Sequence, residues 1–143
     1  MKKAACVLLI RPSDGKLVVA SRRGEPGDIG LPGGKVDPGE TCLEAAVREL
    51  YEETGIALQA EEVVQVYVRP CLGETDYETT TFMCMADDVS PRADFKEPFE
   101  QEKGITIRWA AWDELISPEN AFAIYNSSLY DHVRPILSSK ENG

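Results

Sequence analysis

The sequence predicts an α+β domain built on a mixed sheet. Short runs rich in Val, Ile, Thr and aromatic residues outnumber segments with helical periodicity. The two helical segments stand far apart in the chain, with strands before, between and after the first, which argues against regular βαβ alternation. No repeat, linker or low-complexity tract divides the 143 residues, so a single domain over 1–143 is expected.

Residues 4–11 (AACVLLIR) and 17–22 (LVVASR) read as two strands joined at Ser13-Asp14-Gly15, a hairpin turn. The Gly- and Pro-rich stretch RRGEPGDIGLPGG is expected to be loop. Residues 41–54 lack Gly and Pro and stop at Gly55, as a helix does. Residues 62–70 and 77–86 read as further strands, 87–103 as a polar loop, and 104–110 as the last strand. A second helix is expected from Ser117-Pro118, with Phe122, Tyr125, Leu129 and Val133 at helical spacing and Pro135 bending or ending it.

Acidic residues number 25 against 15 Lys and Arg, a net charge of −10. That balance disfavours nucleic acid as a partner and would repel a polyanionic substrate unless cations reverse the sign locally. The four cysteines form no CxxC pair, so a zinc knuckle is not expected. The apolar run at the start is short and reads as a strand rather than a leader, and no stretch has the length of a membrane span. A reducing cytoplasm is the expected compartment.

One stretch resists a purely structural reading. On a helical wheel at about 100° per residue, Leu43, Val47 and Leu50 fall on one stripe, and Glu49, Glu52 and Glu53 on another. Cys42, Ala45 and Ala46 border the glutamates, as if another surface came close. Glu52 has Arg48 four residues earlier, whereas Glu49 and Glu53 lack such a helical partner. A solvated acidic face is the plain alternative. Crowded carboxylates are also what a hard cation such as Mg²⁺ requires, with Gly33-Gly34 just upstream offering bare backbone to a ligand.

From Gly34 the chain reads G-KVDPG-E-TCLEAAV-RE-L-Y-EE-T-G-I. This resembles the signature of the Nudix hydrolases: Gly34, Glu40, Arg48, Glu49, Leu50, Glu52, Glu53, Gly55 and Ile56 fill all nine specified positions over 23 residues. The resemblance implies an α/β/α sandwich with a central mixed sheet. It also implies hydrolysis of a diphosphate linkage in a nucleoside diphosphate derivative, with Mg²⁺, or Mn²⁺ in its place. Carried over by residue, Glu52 and Glu53 would bind metal with a carbonyl of Gly33 or Gly34. Glu49 would be a ligand or the general base. Arg48 and Glu40 would hold the glutamates in place.

Outside that box, Arg22, Arg23 and Lys35 are candidates for phosphate contacts, an exposed strand end being the alternative for the arginines. Glu102, then Glu100, are candidates for a further metal ligand or base, against a solvated acidic loop. Trp109, Trp112, Phe122 and Tyr125 are expected in the core, and His132 in a structural or solvated position. The expected substrate is a small nucleotide: a nucleoside triphosphate, ordinary or oxidised, cut to monophosphate and pyrophosphate in a MutT-like reaction. The alternatives are ADP-ribose or a nucleotide sugar, or a non-catalytic nucleotide-binding module. A homodimer is left open.

Overall fold

The computed structural model describes residues 2–22, 24–70, 77–89 and 104–142. Strand β1 (Lys2–Ile10) runs through the middle of the sheet. It pairs in parallel with β6 (Tyr77–Met85), while β2 (Leu17–Arg22) and β4 (Gly33–Lys35) pair antiparallel with β1. On one side β2 carries β3 (Glu25–Gly30) and β7 (Ile107–Ala110); on the other, β5 (Val64–Pro70) flanks β6. These seven strands form one mixed sheet.

Helix α1 (Cys42–Thr54) packs on one face. The short α2 (Trp112–Leu115) and the long α3 (Ala123–Asn142) contribute to the other. Strand β1 explains the sandwich. Ala5, Val7 and Leu9 point toward Ala45, Ala46 and Leu50 of α1, whereas Leu8 and Ile10 join Leu115, Leu129 and Val133. A strand covered on both faces needs apolar residues at consecutive positions, which is why AACVLLI does not alternate with polar residues.

The β1–β2 hairpin turns where expected. Gly15 takes φ +72°, and the Asp14 carboxylate accepts from the Arg11 guanidinium and the Lys16 amide. Those bonds, with the Arg11 guanidinium foremost, hold the Asp14 carboxyl down at about 2.

Three expectations need correction. Residues 25–30 and 33–35 are strand, not loop. Strand β3 lies at the edge of the sheet, where Pro26 can do without a donated ladder bond. The second helix begins at Ala123 rather than at Ser117-Pro118. The intervening turn is held by Asn120, whose amide donates to the carbonyls of Glu114 and Leu115 and accepts from the Ile29 amide. Pro135 lies inside α3 without ending it. Trp109 and Trp112 are partly buried on opposite faces: Arg11 covers the Trp109 ring at 4.1 Å, and Trp112 packs on Tyr130 at 4.8 Å. His132 is exposed and lies against Tyr67.

Candidate active site

Helix α1 starts with a reciprocal cap. Thr41 Oγ1 accepts from the Glu44 amide, and the Glu44 carboxylate accepts from the Thr41 amide. It stops at Gly55, whose φ of +77° only glycine takes without strain. The buried face centres on Ala45, Ala46 and Leu50, each fully buried; Leu43 and Val47 are only partly so. The small residues therefore do border a close surface, and that surface is the sheet. Short alanines let the helix settle near β1 and β4, which brings its glutamates beside the glycines of β4.

At Gly34 the approach is so close that a Cβ there would lie 2.6 Å from the Glu49 carboxyl carbon. At Gly33 a Cβ would meet the Ala5 carbonyl oxygen at 2.3 Å and Cys6 Cβ at 2.6 Å. The Gly33 amide donates to Glu53 Oε1 at 3.0 Å. Gly33 and Gly34 are thus wedged between strand β1 and two of the three helix glutamates.

Arg48 gathers the remaining carboxylates. Its Nε donates to Glu40 Oε2 at 2.8 Å and its Nη2 to Glu40 Oε1 at 3.0 Å. Nη1 donates to Glu49 at 3.0 Å and, more weakly, to Glu52 at 3.3 Å. Nη2 also reaches the Lys35 carbonyl, and Asp37 lies at 3.5 Å. Glu49 therefore gains its cation from the adjacent residue rather than one turn away. The two-point grip of Arg48, with the Asp37 amide, holds the Glu40 carboxyl down at about 2. In return Glu40 first, then Glu49 and Glu52, push the Arg48 guanidinium above its ordinary value against the cost of its partial burial.

One guanidinium thus faces the carboxylates of Asp37, Glu40, Glu49 and Glu52, with Glu53 beside them. Among the described residues no three acidic, histidine or cysteine side chains converge on one point: Arg48 draws Glu49 and Glu52, and the Gly33 amide draws Glu53. The donor set is nonetheless all oxygen and carries excess negative charge, the chemistry a hard divalent cation requires. The residues present fit such an ion.

A cavity of about 290 Å³ opens on the same glycines. Ala4, Ala20, Leu31 and Phe122 form apolar wall, and Asn126 and Thr79 add polar groups. Arg22 and Lys35 also line it, so two of the expected phosphate contacts border the cavity that opens on Gly33 and Gly34. Arg22 is exposed and 3.8 Å from Asp28. Arg23, Glu100 and Glu102 lie outside the described residues. Phe122 is not core as expected: it is 37% exposed and lies over Gly30, whereas Tyr125 is buried at 5%. Asn126 was not singled out in the sequence, although an Asn beside the apolar stripe of Tyr125, Leu129 and Val133 was a readable signal.

Comparison with known proteins agrees with this architecture. A MutT NUDIX hydrolase from Burkholderia pseudomallei superposes with a TM-score of 0.68 and 26% identity, over 92% of this chain and 97% of that one. A CTP pyrophosphohydrolase of Escherichia coli is 40% identical over 76 residues, 51% of this chain and 56% of the relative. An ADP-ribose pyrophosphatase of Methanocaldococcus jannaschii is 42% identical over 59 residues, 40% of this chain and 35% of the relative. The matched stretches thus span between about a third and just over half of these two curated relatives. The NUDIX domain model matches residues 1–132, and with nearly the whole chain matched, the protein belongs to the NUDIX family.

Proposed function

We propose that the protein is a divalent-metal-dependent hydrolase that opens the diphosphate linkage of a nucleotide. The substrate class is the nucleoside triphosphates, ordinary or oxidised, and the products are the monophosphate and pyrophosphate. The observation that carries this reading is the ring of carboxylates around Arg48, set against Gly33 and Gly34 at the edge of a cavity. The Escherichia coli relative, named for CTP, supports the triphosphate; the archaeal relative, named for ADP-ribose, supports ADP-ribose as the second reading.

In this reading Glu49, Glu52 and Glu53, with a carbonyl of Gly33 or Gly34 and with Glu102 as a further ligand, hold Mg²⁺ or Mn²⁺. When bound, the metal neutralises the diphosphate and acidifies a water. The chain's own residues supply the framework. Arg48 and Glu40 are positioning residues: they fix the loop before α1 and keep two carboxylates from repelling each other. Glu49 is either a ligand or the carboxylate that takes a proton from the attacking water. Arg22, Arg23 and Lys35 bring positive charge to phosphates that the chain's net charge of −10 would otherwise repel. A reducing cytoplasm suits Cys42 and Cys84, which stand as thiols. A homodimer stays part of the proposal, and among the described residues no helix is long and apolar enough to cross a membrane.

The test is phosphate release, through a coupled pyrophosphatase or phosphatase, across triphosphates, oxidised triphosphates, ADP-ribose, nucleotide sugars and dinucleoside polyphosphates. Each is run with Mg²⁺ or Mn²⁺, beside Glu53→Gln. Turnover of triphosphates by the native protein and none by the variant is the expected result. Metal-independent turnover, or a variant as active as the native protein, overturns the assignment.

A further inference from the structure

A second cavity, of about 380 Å³, lies between α2, the later turns of α3 and the β1–β2 hairpin. It stands apart from the carboxylates. Its wall on β1 is Ile10, whereas the glycines of β4 pair with Ala5 and Cys6, about 13 Å back along the strand. Its volume is that of a small-molecule site. Trp112 and Tyr130 form an aromatic wall, with ring centroids 4.8 Å apart and planes tilted by 44°. Met85, 36% exposed at the end of β6, and Leu137 add apolar surface. A thioether beside two aromatic rings offers a third ring favourable contacts on several sides.

The polar groups are few. Among the described residues Arg134 is the one charged side chain that lines this cavity, and Ser138 adds a hydroxyl. The Arg134 guanidinium lies over the Tyr130 ring, 5.8 Å from its centroid, and no oxygen among the described residues accepts from it. Every other described arginine has an oxygen partner: Arg11 grips Asp14, Arg22 faces Asp28, Arg48 grips Glu40, Arg69 donates to Ser128 and Arg108 to Glu114. With 25 acidic residues against 15 Lys and Arg, an arginine held by a ring rather than a carboxylate is the exception in this chain. The ring keeps it at the cavity with its donors open.

These groups select among ligands. A cation would suit the rings but would meet Arg134. A phosphate dianion would bring two charges to a single guanidinium, against a net charge of −10. A carboxylate brings one, and its planar pair of oxygens matches the guanidinium fork. The walls ask for a flat apolar body on the same molecule.

We infer that this cavity is a second binding site, for a small aromatic monocarboxylate whose ring lies against Trp112 and Tyr130 and whose carboxylate meets Arg134. The site is independent of the proposed hydrolysis, and its ligand is not the nucleotide.

The experiment uses three probes of one shape and different charge: 2-naphthoate, 2-naphthalenemethanol and 2-naphthylmethylammonium. Each is titrated into the native protein and into Arg134→Gln, after melting curves confirm that the variant folds. Affinity is read by calorimetry, and location by shifts of the backbone amides and the Trp indole signals in nitrogen-15 NMR spectra. For the native protein the acid is expected to bind about tenfold tighter than the alcohol, the worth of one charge-assisted hydrogen bond at an exposed group, and the ammonium weakest of the three. The acid should shift Gly15, Trp112 and Ser138 and leave Gly33 and Gly34 unmoved. In Arg134→Gln the acid and the alcohol should bind within about threefold of each other. No binding of any probe, an ammonium bound as well as the acid, or shifts centred on Gly33 and Gly34 overturns the inference from the native protein alone. A preference for the acid that survives undiminished in folded Arg134→Gln overturns it as well.

Discussion

Gly33 and Gly34 are neighbours in one short strand, yet an added methyl group should do different things at each. Neither takes a positive φ, so alanine can adopt the backbone at both positions and the outcome turns on what the new Cβ meets. At Gly34 it meets the end of a flexible side chain, the Glu49 carboxyl, at 2.6 Å. Ordinary carbon contacts lie at about 3.5 Å, so Glu49 must withdraw by about 1 Å, which a glutamate can do by changing rotamers. The fold should lose less than about 1 kcal/mol. A misplacement of about 1 Å in a reacting group costs roughly a hundredfold in rate, or about 2.7 kcal/mol of transition-state stabilisation. At Gly33 the methyl meets the Ala5 carbonyl oxygen at 2.3 Å and Cys6 Cβ at 2.6 Å, both in the central strand. Nothing there can withdraw without moving β1, so Gly33→Ala should destabilise by about 3 kcal/mol or more. Urea unfolding and steady-state turnover of the best triphosphate check both. A Gly34→Ala protein of normal stability and normal kcat would refute the claim that Glu49 must stand where it does. One that unfolds as readily as Gly33→Ala would refute the steric reading itself.

Other expectations follow from the same geometry. Glu40→Gln should cost about 1–2 kcal/mol at neutral pH, the shift to about 2 being discounted for partial exposure. Because the folded carboxyl is held below its ordinary 4.5, that stability is present above 4.5 and lost as pH falls toward 2. Melting curves of native and variant should therefore converge over that window. A difference independent of pH would show that charge is not what Glu40 contributes. Arg48→Lys should lower kcat by about tenfold or more, since an ammonium cannot grip both Glu40 oxygens and still reach Glu49; near-native turnover would remove Arg48 from the framework. Leu50→Ala should cost about 2–5 kcal/mol by urea unfolding, as Leu50 is fully buried between α1 and the sheet. A loss under 1 kcal/mol would mean that the site collapses around the gap.

The parts of the molecule that could be read from the sequence share one property: their local chemistry and their tertiary role agree. Helix α1 announces itself by an uninterrupted run and a terminal glycine, and its carboxylate face was legible; its sheet contact is less so, since it centres on Ala45, Ala46 and Leu50 instead of the expected Leu43, Val47 and Leu50 stripe. Strand β4 is hidden for the opposite reason. Glycines lower strand propensity, so GGK reads as loop. Yet glycine is what the strand requires, because a Cβ at Gly33 would strike β1 and one at Gly34 would strike Glu49. The feature that conceals the strand is thus the feature that admits the helix to it. The start of α3 misleads in the same way. Ser117-Pro118 has the form of a helix start, but Asn120 closes the turn with side-chain bonds that no spacing reveals, and the helix waits until Ala123. That delay places Phe122 at the cavity mouth instead of in the core. The carboxylates were legible because they stand at fixed spacing along one helix. The cavity was not, because its walls come from β1, β2, β4, β6 and α3, and only the folded sheet brings them together.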